Sequence, residues 1–167
     1  MAAPCMNDRP HLFLTGEKGV GKSTLLRKLL GERTVSGFYT VKTIGDKGIS
    51  LHLISGDEVP DAGNFLCFCP PGQDAWERFD TLGCAALERR GEVIVMDELG
   101  PAEERAKAFR AAVLRTLEGE IPVLGVLQKG DYSLYREVAG HRNVHLVEVT
   151  AQNRDSLAAE LILPVRP

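Results

Sequence analysis

The chain has 167 residues, 44% of them hydrophobic, and a formal net charge of −3. That length suits one domain over residues 1–167, and the lack of a basic surplus argues against a DNA-binding protein. No apolar run approaches the ~18 residues of a membrane span, and the opening stretch lacks the basic n-region of a secretory signal, so a cytoplasmic protein is expected.

Apolar runs alternate with helix-like stretches along the chain. HLFLTG (11–16) reads as a strand, and KSTLLRKLLGE after the glycine loop reads as an amphipathic helix. VSGFYTVKTI and ISLHLIS, separated by Gly45, Asp46, Lys47 and Gly48, predict a β-hairpin. Residues 56–64 read as an irregular loop, FLCFC (65–69) as a strand, and Pro70-Pro71-Gly72 as its stop. Gln73 to Arg90 predicts a helix with Trp76 and Phe79 near one face, and Gly91 is suited to cap it. EVIVMDE is a continuous apolar run, as in a strand covered on both faces. Pro101 to Glu118, Tyr132 to Gly140 and Asn153 to Leu163 predict helices, and PVLGVLQK and VHLVEV the strands between them. The order is βα, a hairpin insertion, then βαβαβαβα, which calls for a three-layer α/β/α fold with a mostly parallel sheet.

GEKGVGKS (16–23) satisfies G-x-x-x-x-G-K-[ST], a match expected by chance in about one chain in two hundred of this length. A strand precedes it and a helix follows, as the mechanism requires. Glycines at 16, 19 and 21 open backbone angles closed to other residues, so the N–H groups of Gly16, Glu17, Lys18, Gly19, Val20 and Gly21 can turn inward around an anion. The helix N-terminus adds its free amides. Lys22 is placed to meet the β- and γ-phosphates, Ser23 to give its hydroxyl to Mg²⁺, and Thr24 to lie beside the α-phosphate.

VIVMDELG (93–100) supplies the second signal. A covered strand ending in Asp97 puts a carboxylate at the edge of the sheet where α/β proteins bind ligands. Asp97 then suits Mg²⁺, through water, and Glu98 suits the attacking water, as base or orienter. A nucleotide kinase needs no activated water, so Glu98 favours hydrolysis.

The segments GEKGVGKSTLL, VSGFYT, VIVMDELGP, PVLGVL and VTAQNRDSL, in that order, resemble the small nucleoside-triphosphatases related to the human cancer-related nucleoside-triphosphatase. VSGFYT and VTAQNRDSL are the specific parts, since the phosphate loop is shared by very many proteins. The resemblance implies a RecA-like P-loop domain and Mg²⁺-dependent hydrolysis of several nucleoside triphosphates to the diphosphate and phosphate. It carries over Gly16 to Thr24 as the phosphate loop, with Lys22 and Glu98 catalytic and Asp97 on the metal side. VKTIGDKGISLHLIS departs from the family in lacking a phenylalanine, and Ala102 stands where a methionine is usual.

Other residues carry two readings. Gln128 and Lys129 follow a strand and either meet the γ-phosphate or base, or form a solvated loop. Thr150, Asn153 and Arg154 either meet base or ribose, or cap the last helix. Arg27, Arg105, Arg110 and Arg154 are the candidates for a transition-state arginine. Trp76 is expected in the core, and Phe38 and Tyr39 in the packing of the hairpin. His52 and His145 are expected as packed or edge residues. Cys5, Cys67, Cys69 and Cys84 show no zinc spacing and read as apolar filler in a reducing compartment. A P-loop kinase for a small metabolite is the chief rival to hydrolysis, but residues 40–74 hold no arginine for a phosphate lid. A nucleotide-dependent adaptor with little turnover is the other. A protein or RNA partner stays open, and a monomer is the working expectation.

Overall fold

A computed structural model describes residues 9–69 and 75–161. Cys5, the Pro70-Pro71-Gly72 stop, Gln73 and Leu163 lie outside the described residues.

The strands are β1 (His11–Thr15), β2 (Val35–Gly45), β3 (Gly48–Ile54), β4 (Phe65–Cys69), β5 (Val93–Leu99), β6 (Val123–Leu127) and β7 (Val144–Glu148). They form one seven-stranded sheet in the order β4-β3-β2-β5-β6-β1-β7. β2, β5, β6, β1 and β7 run parallel, while β3 pairs antiparallel with both β2 and β4. The helices are α1 (Lys22–Leu30), α2 (Ala75–Arg78), α3 (Cys84–Glu88), α4 (Lys107–Glu118), α5 (Ser133–Ala139) and α6 (Arg154–Glu160).

Strand alternation divides the core into two layers. Leu12, Leu14, Val93, Val95, Leu124 and Val126 turn towards α1, whose Leu25, Leu26, Leu29 and Leu30 are buried against them. Phe13, Phe38, Ile94 and Met96 turn the other way, onto Phe109, Val113 and Leu117 of α4 and Leu134 and Val138 of α5. The result is the expected α/β/α sandwich.

The hairpin is present, but it is more than an insertion. Val35 to Tyr39 of β2 pair in parallel with β5, and only the second half of β2 pairs with β3. Asp46 and Lys47 make a two-residue turn between Gly45 and Gly48, and the positive φ of 104° falls on Gly48, the residue that follows the turn. β4 is the sheet edge, held antiparallel to β3. Its apolar composition reflects packing of Leu66 and Cys67 against the core and does not encode strand direction.

Two expected helices are broken. Residues 75–88 contain a π-helical turn, Phe79–Gly83, between α2 and α3. Gly83 there lies under the Phe109 ring, where a Cβ would stand 2.4 Å from a ring carbon. Gly91 does not cap α3, which ends at Glu88 with Arg89 already extended; the Gly91 amide instead donates to Ser36 Oγ at 2.9 Å. Pro101–Glu103 is a 3₁₀ turn separated from α4, because the Glu103 side chain folds back to accept the Gly100 amide at 2.8 Å. Among the described residues, no helix is long and apolar enough to cross a membrane.

Candidate functional site

The carboxyl ends of β1, β5 and β6 meet at one edge, and the loop of residues 16–21 rises from β1 into α1. Gly16, Gly19 and Gly21 have φ of 141°, 83° and 99°. Gly16 also passes so close to Val149 that a Cβ would stand 2.3 Å from its carbonyl oxygen. A side chain is therefore excluded there by both conformation and space.

Lys22 begins α1 and bends back over the loop. Its Nζ donates to the Gly16 and Glu17 carbonyls, both at 2.8 Å. Those bonds hold the ammonium inside the loop and leave one of its three N–H groups free for an anion. The next residue reaches across the sheet: Ser23 Oγ donates to Asp97 Oδ1 at 3.2 Å.

Asp97 is 7% exposed, at the end of β5. Burial pushes its carboxyl up to about 6, against the Ser23 hydrogen bond, which favours the ionised form; the neighbouring Glu98 adds to the rise. Glu98 is half-buried. Its amide donates to Thr40 Oγ1 at 3.2 Å, and the Thr40 hydroxyl donates in turn to the Asp97 carbonyl at 3.4 Å. Thr40 thus holds the peptide that joins the two acids. Composition and periodicity give no reason to single out Thr40; the one signal for it was its place at the end of the VSGFYT segment. Strand register does the rest, since Tyr39 lies opposite Asp97.

β6 lies between β1 and β5, so its last residues come between the phosphate loop and the acids. Gln128 lines the cavity beside Asp97 and Glu98. Lys129 turns the other way, into ion pairs with Glu148 at 2.9 Å and Glu17 at 3.4 Å.

Helix periodicity gives α1 two working faces. Ser23 and Arg27, one turn apart, face the acids and the hairpin, with the Arg27 guanidinium 6.0 Å from the centre of the Tyr39 ring. Thr24 and Lys28 face a smaller cavity of about 220 Å³, which they share with Gly21, Arg154 and Asp155. Arg154 therefore lies on the phosphate-loop side of α1. Thr150 and Asn153 accept each other's amides at 2.7 and 3.2 Å in the turn before α6. Arg110 is tied to Glu137 at 2.8 Å and Arg105 is exposed away from these cavities. Phe38 is buried against Phe109, and Trp76 packs partly buried on the core. His52 is buried and bonded to Asn64 and Ser50. Cys67, Cys69 and Cys84 are free thiols.

Ser23 and Asp97 form a pair of hard oxygen donors at the mouth of the phosphate loop. Mg²⁺ fits such a pair, because it takes few protein ligands and completes its shell with water and phosphate oxygens. Among the described residues no cluster of three His, Cys, Asp or Glu side chains offers a self-sufficient metal cage.

Residues 73–162 match the sequence model of a family described as NTPase, a span that contains both acids and Gln128. The chain belongs to this NTPase family. The nucleoside-triphosphatase THEP1 of Thermotoga maritima is 27% identical, with 90% of this chain and 92% of the relative covered. The cancer-related nucleoside-triphosphatase homolog of Mus musculus is 29% identical, covering 93% and 96%. The crystal structure of THEP1 from Aquifex aeolicus superimposes with a TM-score of 0.65 at 26% identity, covering 90% and 95%. The solution structure of a human cancer-related nucleoside triphosphatase gives 0.62 at 27% identity, covering 90% and 94%. The family match begins at Gln73, so it covers the acid-bearing half of the site and not the phosphate loop.

Proposed function

We propose that the chain, as one domain, hydrolyses nucleoside triphosphates, ATP and GTP among them, to the diphosphate and orthophosphate with Mg²⁺. The observation that carries this reading is the Ser23–Asp97 contact of 3.2 Å, which ties the phosphate loop to the acid strand and leaves Glu98 beside it. The loop amides of residues 16–21 and the helix N-terminus cradle the phosphate oxygens, and the Lys22 ammonium meets the β- and γ-phosphates. Thr24 lies beside the α-phosphate, with the nucleoside on the Arg154 side of α1.

Ser23 and Asp97 would hold Mg²⁺, whose charge offsets that of the β- and γ-oxygens. Glu98 accepts a proton from the water that attacks the γ-phosphorus in line with the departing diphosphate. Thr40 positions Glu98 by bonding its amide. Gln128, from the strand between loop and acids, is placed to donate to a γ-phosphate oxygen.

Phosphate release from the four common nucleoside triphosphates, with and without Mg²⁺, tests the reading. Glu98→Gln should lower kcat by roughly 10²- to 10⁴-fold and keep nucleotide binding, while Lys22→Ala should lose both. Unchanged turnover in Glu98→Gln removes the proposed mechanism.

A further inference from the structure

A cavity of about 660 Å³ opens beside Ser23, Asp97 and Glu98 and runs away from the phosphate loop towards the hairpin. It lies on the Ser23–Arg27 face of α1, opposite the Thr24–Lys28 face where the nucleoside is placed. None of Gly16 to Gly21 lines it, so a nucleotide seated in the loop meets it only at the end where Ser23, Asp97, Glu98 and Gln128 stand. The attacking water needs about 30 Å³. The cavity is more than an order of magnitude larger, and it falls in the roughly 300–1,000 Å³ range of small-molecule sites.

Away from the acids its walls carry Val41, Leu51 and Cys69 from the hairpin side and Pro101 and Ala102 from the loop after the acids, with the cations Arg27 and Lys42 among them. The apolar surface continues beyond the mouth. Ile49 pairs with both Cys69 and Ile44 across neighbouring strands, and Ile44 and Ile49 are 87% and 41% exposed. A chamber serving water alone has no use for that wall or that ledge.

We propose that this cavity is an acceptor site for a small hydroxylated molecule with an aromatic or apolar body, to which the γ-phosphoryl group is transferred. The inference rests on the nucleotide placement in the hydrolysis reading. The acceptor's hydroxyl oxygen bonds to the γ-phosphorus, and the bond from that phosphorus to the β–γ bridging oxygen breaks. The electron pair leaves with the nucleoside diphosphate, and the hydroxyl proton passes to Glu98. The products are a phosphomonoester and the diphosphate. Glu98 serves water and alcohol alike, because a carboxylate accepting a hydroxyl proton is also how kinases activate their substrates. Hydrolysis is then the reaction of the site when the acceptor cavity holds only water.

The test is ³¹P NMR of ATP turnover by the full chain with benzyl alcohol, 4-hydroxybenzyl alcohol or glycerol present. The expected result is a phosphomonoester from the aromatic alcohols at about 100-fold above their molar share against water, with no such excess from glycerol. Cys69→Phe and Ala102→Phe fill the cavity from opposite walls. Each should cut the ester-to-orthophosphate ratio at least about tenfold, with folding checked by Trp76 fluorescence. The proposal is overturned if both aromatic alcohols yield orthophosphate alone, or if the ester ratio in both variants equals that of the parent. Absence of any turnover, with or without alcohol, removes the hydrolysis reading and this one with it.

Discussion

Glu103 is a carboxyl group that the fold keeps protonated at neutral pH. It is 3% exposed, and burial pushes it up to about 8 from its ordinary 4.5. The Gly100 amide, which donates to its Oε2 at 2.8 Å, opposes that rise without cancelling it, and the charge of Glu98 adds to it. A carboxyl raised on folding binds its proton more tightly in the folded state. Its stabilising contribution is therefore complete below pH 4.5 and is lost as pH rises through about 8. At 1.36 kcal/mol per pH unit the full window corresponds to roughly 5 kcal/mol, and relaxation of the site reduces what is realised. Glu103→Gln keeps an acceptor for Gly100 and removes the ionisation. Urea unfolding at pH 5, 7 and 8.5, read by Trp76 fluorescence, should show the variant gaining roughly 2 to 4 kcal/mol on the parent between pH 5 and pH 8.5. Comparing the two proteins cancels the titration of Asp97. Parallel pH profiles, within about 0.5 kcal/mol, would refute the assignment of a neutral buried acid at this turn.

Gly37→Ala should destabilise the protein by about 3 kcal/mol or more. Gly37 has a φ of 92°, and a Cβ there would stand 2.0 Å from the Val95 carbonyl oxygen of the neighbouring strand; a urea midpoint close to that of the parent would show that β2 and β5 can separate freely. Asp97, raised to about 6, must ionise to hold a metal. The Mg²⁺ concentration for half-maximal phosphate release should accordingly rise about fivefold between pH 6 and pH 5, and a flat profile over that interval would place the metal elsewhere.

The phosphate loop was legible because its chemistry is local. Glycines at 16, 19 and 21 and the Lys22-Ser23 pair are contiguous, and all three glycines take the positive φ angles that their identity allows. The acids were legible for a related reason: a run covered on both faces and ending in Asp97-Glu98 has its carboxylates at a sheet edge whatever its neighbours are. The helix from Pro101 to Glu118 was misread because its periodicity is sound, and the break comes from burial of one side chain, Glu103. The direction of β4 was not legible, because an apolar five-residue run is the same in either orientation.

The chain's order of residues determined which groups can grip a triphosphate, since backbone freedom, a fixed positive charge and a hydroxyl are properties of neighbours in sequence. Only the tertiary structure decided what surrounds them. Thr40 reaches the Asp97-Glu98 peptide from a strand 57 and 58 residues away. Arg154 joins Gly21 across the long connection from α1, and the hairpin walls off a cavity on the acid side. Those arrangements follow from strand order and register, which arise when distant segments share one core and have no counterpart in any short stretch of sequence.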